Sequence, residues 1–307
     1  MRPTAPDYVG RFAPTPSGPL HFGSLVAALA SYLDAKSAQG QWLLRIEDID
    51  PPREQAGASD LILSTLDAFE LHWDGEVFYQ SQQTERYQAA VDALLSAQKA
   101  YYCQCSRKQL QTHPVYPNWC RDRHDLSAHN NAVRLKTDGD FTLVDRIQGE
   151  CHWAMAALGD FIIQRRDGLF AYQLAVVLDD AEQGVNQVVR GYDILDSTPR
   201  QLQLIEQLNE VKLIHTPAPD YAHIPVIIGT DGQKLSKQNL APAISPPERL
   251  KLLQKALLAL GLPLSQAQQE ASYSELLHWA VANWNIQRIK AVAEITEASL
   301  QRPFSRC

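Results

Sequence analysis

Residues 8–46 constrain the fold most, because they read as strand, loop, helix and strand in succession. Tyr8 to Phe12 is a short run suited to a buried strand. Ala13-Pro14-Thr15-Pro16-Ser17-Gly18-Pro19 follows, and three prolines with a glycine forbid regular structure there. Leu25, Ala28, Leu29 and Tyr32 then fall at helical spacing, predicting a helix over 22–37 that Gly40 ends. Residues 41–46 read as a second strand, nearly all apolar at Trp42-Leu43-Leu44. A βαβ unit of this kind demands a parallel sheet buried on both faces.

Helices are predicted over 59–69 and 84–98, and strands over 132–135, 161–163, 172–178, 187–190 and 224–228. Thr198 is expected to cap a helix that has Pro199 at its first position. Helices are also expected over 247–260, 273–283 and 286–300. The carboxylates Asp179 and Asp180, at the end of the 172–178 strand, could suggest magnesium, but such a pair is more often a turn or cap, and no site is assigned to them. There is no internal repeat. The chain has 307 residues, 45% of them hydrophobic, enough for a large core without disulfides. No apolar run approaches the ~18 residues of a spanning helix, and the N-terminus lacks the apolar centre of a signal peptide. A cytoplasmic protein with no membrane partner is expected. The net charge of −7 argues against non-specific coating of nucleic acid, but leaves room for a local basic groove.

Three constellations carry chemistry. His21-Phe22-Gly23-Ser24 opens the first helix, where unpaired backbone N–H groups favour an anion and Gly23 allows close approach. Its bland alternative is an exposed histidine in a Pro/Gly turn. Lys234-Leu235-Ser236-Lys237-Gln238 puts two lysines and a hydroxyl after the Thr230-Asp231-Gly232-Gln233 turn, as a clamp on transferring phosphates would. Its bland alternative is a solvated loop. Cys103, Cys105 and Cys120 cluster in a stretch with little periodicity, as a structural zinc site would. A Cys103–Cys105 disulfide is disfavoured by its tiny loop. Tyr116, His113 and His124 are candidates for the fourth ligand. Cys151 and Cys307 read as free thiols. Arg107, Lys108, Arg121 and Arg123 offer basic surface near the cysteines, or simply a solvated face.

Taken together and in this order, the first βα turn, the Arg45-Ile46-Glu47-Asp48-Ile49-Asp50 segment and the Lys-Leu-Ser-Lys loop resemble the class I aminoacyl-tRNA synthetases, specifically the glutamyl branch. Ser24 stands where many class I enzymes have a second histidine, Leu235 replaces methionine, and Gln238 replaces the last serine of the loop. The cysteine stretch, with Tyr116-Pro117-Asn118-Trp119-Cys120, resembles the zinc module of the glutamyl-queuosine tRNA synthetases. The resemblance runs from Tyr8 to Ala241 and fades beyond.

The resemblance implies an α/β fold: a Rossmann-type parallel-sheet catalytic domain with a zinc-bearing insertion, a short helical C-terminal part and no anticodon-binding domain. It divides the chain into residues 1–100 (first half of the catalytic domain), 101–190 (insertion and return to the sheet), 191–241 (second half, with the lysine loop) and 242–307 (C-terminal region). It implies ATP binding by His21, Gly23, Ser24, Lys234, Ser236 and Lys237, with His21 and Lys237 catalytic and magnesium accompanying ATP. It implies glutamate binding by Arg11, Ala13, Thr15, Glu47, Tyr172 and Arg190. On residue chemistry, Arg11 could hold a carboxylate and Glu47 the ammonium. Arg190 is the expected partner of the side-chain carboxylate. Val176 stands where family members often have asparagine, which removes a polar contact. The resemblance makes Tyr116 the fourth zinc ligand, with Cys103, Cys105 and Cys120. It implies a monomer that activates L-glutamate with ATP and transfers it to queuosine in the anticodon of tRNA(Asp). The alternatives are a minimal synthetase charging the terminal adenosine and an inactive tRNA-binding paralogue.

Overall fold

The computed structural model describes residues 7–229 and 242–301. Its first unit is β1 (Val9–Phe12), α1 (Phe22–Ser37) and β2 (Gln41–Ile46), with β1 and β2 parallel and Val9 opposite Gln41. The helix forms where the apolar stripe predicts it, and it buries ten of its residues, among them Leu25, Leu29 and Leu33. Trp42 is fully enclosed, with Phe12 stacked on it and Tyr32 edge-on. Its indole N–H donates to Ser31 Oγ at 2.9 Å, so the ring is buried without an orphaned donor.

Helix α2 (Ala58–Ala68) leads to β3 (Phe78–Tyr79), which extends the sheet beside β2, and α3 (Thr84–Ser96) follows. Strands β4 (Ala100–Cys103) and β5 (Ala132–Leu135) then bracket the cysteine stretch. Strands β6 (Asp140–Asp145) and β7 (Gly149–Ala154) form an antiparallel hairpin that sequence patterning does not predict. Phe141 and Leu143 of this hairpin pack against the small core around Val9 and Tyr221. A single helical turn, α4 (Met155–Leu158), precedes β8 (Phe161–Gln164), which pairs with β5.

The 172–178 segment is corrected by the structure, for it opens α5 (Tyr172–Glu182) rather than forming a strand. Seven consecutive residues from Leu174 to Asp180 are buried, so the helix has no polar face to reveal its period. Asp179 and Asp180 are accordingly not a turn; both lie inside the protein on this helix. The chain then returns to the parallel layer through β9 (Gln187–Gly191), α6 (Thr198–Glu210) and β10 (Asp220–Ile224). Strands β9 and β10 are parallel, and Asn186 ties β9 to β1 by exchanging hydrogen bonds with Val9. Ser197 rather than Thr198 occupies the N-cap of α6, and the Thr198 hydroxyl is used elsewhere.

The predicted 224–228 strand is split by Pro225. Beyond it, β11 (Val226–Ile228) pairs with β12 (Glu294–Thr296), which corrects the helix expected over 286–300. That region holds only short 3-10 turns, at Ile286–Arg288 and Glu297–Gln301, on either side of β12. Between β11 and β12, α7 (Arg249–Ala259) and α9 (Tyr273–Ala282) pack their apolar faces into the core of α1 and the parallel strands, while the short α8 (Gln266–Glu270) between them buries no residue. Among the described residues, no helix is long and apolar enough to cross a membrane.

Candidate active site and metal centre

The strand order reverses between β1 and β9, which lie side by side in the parallel layer, and loops at such a switch point diverge to leave a crevice at the strand carboxyl ends. A cavity of about 680 Å³ lies there. Ala13 and Thr15 beyond β1, Glu47 beyond β2, Gly191 at the end of β9, and Ile224 and Pro225 at the end of β10 all line it. The proline-rich loop is tied to β2 by the Glu47 N–H, which donates to the Pro14 carbonyl at 3.0 Å. Gly18 has φ of +127°, a conformation that other residues rarely adopt, so this loop needs glycine.

His21, Gly23 and Ser24 line the same cavity at the N-terminus of α1. His21 is the N-cap: its Nδ1 accepts from the Ser24 N–H at 3.2 Å. Ile244 N–H donates to the Leu20 carbonyl at 3.0 Å, and Ala243 bridges to His21, so the chain after residue 241 is laced to this turn. Lys234, Ser236 and Lys237 lie outside the described residues.

Tyr172 lines the cavity from the first residue of α5, with Arg190, Glu47 and Arg11 in electrostatic reach of its phenol. Arg11 and Arg190 are buried beneath the cavity rather than among its lining residues. The carboxylate that Arg11 holds is Asp180: Nε and Nη2 donate to its two oxygens at 3.2 and 3.5 Å. Arg45, fully buried, donates to the same carboxylate at 2.7 Å, and its Nε lies 3.9 Å from Glu47. Burial works against the charge on Asp180, yet the two guanidiniums overcome it and hold the carboxyl below the usual range. Burial wins at Glu47, where it outweighs Arg45 and Arg11 and pushes the carboxyl up to about 7. Asp179 is held by Gln80, Tyr87 and Arg86. Val176 is enclosed in the apolar core around Tyr87 and Leu204 and does not line the cavity.

Arg190 is gripped on three sides. Nη1 donates to Gln201 at 2.7 Å, Nη2 to the Thr198 hydroxyl at 2.8 Å, and Nε to His223 Nε2 at 2.9 Å. His223 and Asp145 are singled out by no local pattern in the sequence; Arg45 stands in a motif beside Glu47 and Asp180 in a pair of carboxylates, but nothing local joins the two.

The cysteine module presents a second chemistry. The thiol sulfurs of Cys103, Cys105 and Cys120 all lie within 4.8 Å of one another. Cys105 and Cys120 are 3.6 Å apart, close to the ~3.8 Å that two sulfurs span in a tetrahedron of ~2.3 Å bonds. The Tyr116 oxygen is 3.4 Å from Cys103 and 3.6 Å from Cys105, and accepts the Cys120 N–H at 3.0 Å. Four donors thus converge on one point, and the set fits a zinc ion. His113 instead packs against exposed Trp119, and neither His113 nor His124 joins the cluster. Arg134 lies over the Tyr116 ring at 3.8 Å and donates to Cys103 at 3.3 Å, placing a cation beside the thiols. Arg121 is paired with Asp160, Arg123 with Asp125, and Arg107 and Lys108 are exposed. Cys151 is a free thiol, and Cys307 lies outside the described residues.

The family model described as "tRNA synthetases class I (E and Q), catalytic domain" matches residues 8–260. A protein of Ectopseudomonas mendocina named glutamyl-Q tRNA(Asp) synthetase is 52% identical over 297 residues, covering 96% of this chain and 99% of that protein. One of Vibrio vulnificus with the same name is 49% identical, covering 95% of each. Among solved structures, the glutamate-tRNA synthetase of Elizabethkingia anophelis superposes with a TM-score of 0.78 at 23% identity, covering 94% of this chain and 67% of that one.

Proposed function

The chain belongs to the class I tRNA synthetase (E and Q) catalytic-domain family, a family of ligases, and from that premise we propose that it activates L-glutamate with ATP and transfers it to queuosine in tRNA(Asp). The observation that carries this reading is the near-full-length identity of about half to proteins named for that activity. An ATP-dependent, glutamate-specific tRNA modification enzyme is the result.

In the reaction, an oxygen of the glutamate α-carboxylate attacks the α-phosphorus of ATP and pyrophosphate leaves. Catalysis is mostly positioning and charge stabilisation. Glutamate rests in the crevice among Ala13, Thr15, Glu47 and Tyr172, with its ammonium on Glu47. Arg190 receives the side-chain carboxylate, and Arg11 adds positive potential from beneath. His21, Gly23 and Ser24 at the N-terminus of α1 face the nucleotide phosphates, joined by Lys234, Ser236 and Lys237; magnesium, when bound with ATP, neutralises phosphate charge. A hydroxyl of the queuosine cyclopentenediol then attacks the mixed anhydride, and AMP departs. One zinc ion, held by Cys103, Cys105, Tyr116 and Cys120, would brace the module between β4 and β5, whose Arg107 and Lys108 offer contacts to tRNA phosphates.

The acceptor is tested with labelled glutamate, ATP and magnesium on tRNA(Asp) with and without queuosine. Label is expected on queuosine, in the modified tRNA alone. Label on the terminal adenosine of both samples would instead make the protein a minimal synthetase.

Glu47 supplies a second test. Its buried carboxyl, at about 7, holds a proton that an unfolded glutamate would lose near 4.5. The charged form therefore costs stability, and that cost is complete above about pH 7. A substrate ammonium reverses the preference and expels the proton. Glutamate binding should release up to one proton near pH 6.5, fading above about pH 8, read by calorimetry in buffers of different ionisation heat. Binding without proton release across that range would remove Glu47 as the ammonium partner.

A further inference from the structure

We propose that Asp145 and His223 are positioning residues for glutamate recognition, together holding Arg190 in the one orientation that presents its remaining N–H groups to the substrate carboxylate. The inference rests on the reading of Arg190 as the carboxylate partner and goes beyond it.

Parallel pairing of β9 and β10 sets Arg190 directly opposite His223, so both side chains leave the same face. Tyr221, two residues before His223, shares that face. It stacks on the imidazole at a centroid distance of 6.0 Å and lies 5.0 Å beneath the guanidinium. His223 is fully enclosed and Arg190 is 5% exposed. A guanidinium has five N–H donors and no acceptor. With Nε on His223, Nη1 on Gln201 and Nη2 on Thr198, two N–H groups remain, one on each terminal nitrogen.

The His223 contact requires a particular tautomer. Arg190 Nε always donates, so His223 Nε2 must offer a lone pair, and the ring proton must sit on Nδ1. Asp145 fixes it there: Oδ2 lies 2.5 Å from Nδ1. Asp145 in turn cannot rotate, because Oδ1 accepts the N–H groups of Ile147, Gln148 and His223 at 2.9, 2.9 and 3.1 Å. The turn between β6 and β7 thus acts on the substrate through one imidazole.

Asp145→Asn probes this arrangement. The three backbone donors keep the amide oxygen at the Oδ1 position, so the amide NH2 meets His223 Nδ1. The imidazole must then carry its proton on Nε2, donor against donor with Arg190. Glutamate KM in pyrophosphate exchange should rise about tenfold or more, the loss expected for a hydrogen bond to a charged group. The KM for ATP and kcat should stay within about twofold. His223→Gln needs no tautomer, since its amide oxygen can face Arg190, and should retain a near-normal glutamate KM. Adding Asp145→Asn to His223→Gln should then raise the KM no further. A purely structural role for Asp145 predicts the same defect in both backgrounds, and that result overturns the proposal. If Asp145→Asn does not fold, His223→Gln is compared with His223→Leu: equal glutamate KM values in the two also overturn it. Arg190→Ala separates the underlying reading, since an unchanged glutamate KM there would mean that Arg190 does not bind the carboxylate at all.

Discussion

Replacing Cys120 by serine is expected to strip the zinc and release the segment between β4 and β5. That segment runs from residue 104 to 131 without a helix or strand of its own. Of its own residues only Tyr116 and Cys120 are buried in the small core there, against Tyr101 and Cys103 of β4, with Cys105, Leu110 and Leu126 partly buried around them. So few apolar groups cannot offset the conformational entropy of ordering the stretch, at ~1–2 kcal/mol of backbone alone per residue. A tetrahedral zinc ion would supply the missing free energy; in small zinc modules it is worth roughly 10–16 kcal/mol at neutral pH. The rest of the protein has its own cores around α1 and around α3 and α5, so the loss should be local. Wild-type protein should carry one zinc per chain by elemental analysis. Chelation or Cys120→Ser should open residues 104–131 to proteases and hydrogen exchange while the parallel sheet stays protected. Metal-free wild-type protein with full protection of this stretch would refute the zinc assignment.

Asp180→Ala should destabilise the whole fold by about 3–5 kcal/mol, the usual cost of leaving a buried charge without its partner. Here two cations depend on one carboxylate. Arg11 approaches from β1 and Arg45 from β2, while Asp180 comes from α5. Arg45 has no exposure and Arg11 only 4%, so water cannot replace the lost carboxylate. Asp180→Asn, which keeps shape and hydrogen-bond acceptance at one oxygen, should cost less. Denaturant unfolding measures both, and Asp125→Ala serves as the contrast: its pair with Arg123 is on the surface, so stability should not change measurably. Unchanged stability of Asp180→Ala would mean that the arginines are hydrated or find other partners.

The sequence-derived helix over 22–37 and the strand over 41–46 coincide with the structure, and the reason is local. In α1 half-buried Gly23, Ser24, Ala27 and Tyr32 interrupt the buried run, and in β2 Gln41 and Leu43 alternate with buried Trp42 and Leu44, so part of the burial period is written in the residues. The Ala13 to Ser24 turn is legible for a related reason, since prolines, Gly18 and a histidine cap dictate its backbone directly. Where burial is uniform, the period vanishes. Tyr172 to Leu178 carries alanine, valine and leucine in a row, and nothing within the segment distinguishes a helix enclosed on every side from a central strand. The 286–300 stretch fails in the opposite sense, because Glu294–Thr296 becomes a strand only by pairing with Val226–Ile228 far away in the chain.

By itself, the sequence determined the opening βαβ unit, the proline-rich turn before the first helix, the cysteine cluster and, through those motifs, the family. These are short-range properties: the periodicity of one element, the capping of one turn, the spacing of thiols along one stretch. Tertiary structure alone decided the fate of the charges beneath the crevice. Arg11 meets a carboxylate 169 residues away, Arg45 one 135 away, and His223 one 78 away. Strand register and helix packing bring such groups together, and a buried charge is tolerated only where its partner is supplied. No local pattern records that requirement, so the groups that hold Arg11 and Arg190 in place emerge only once the chain is folded.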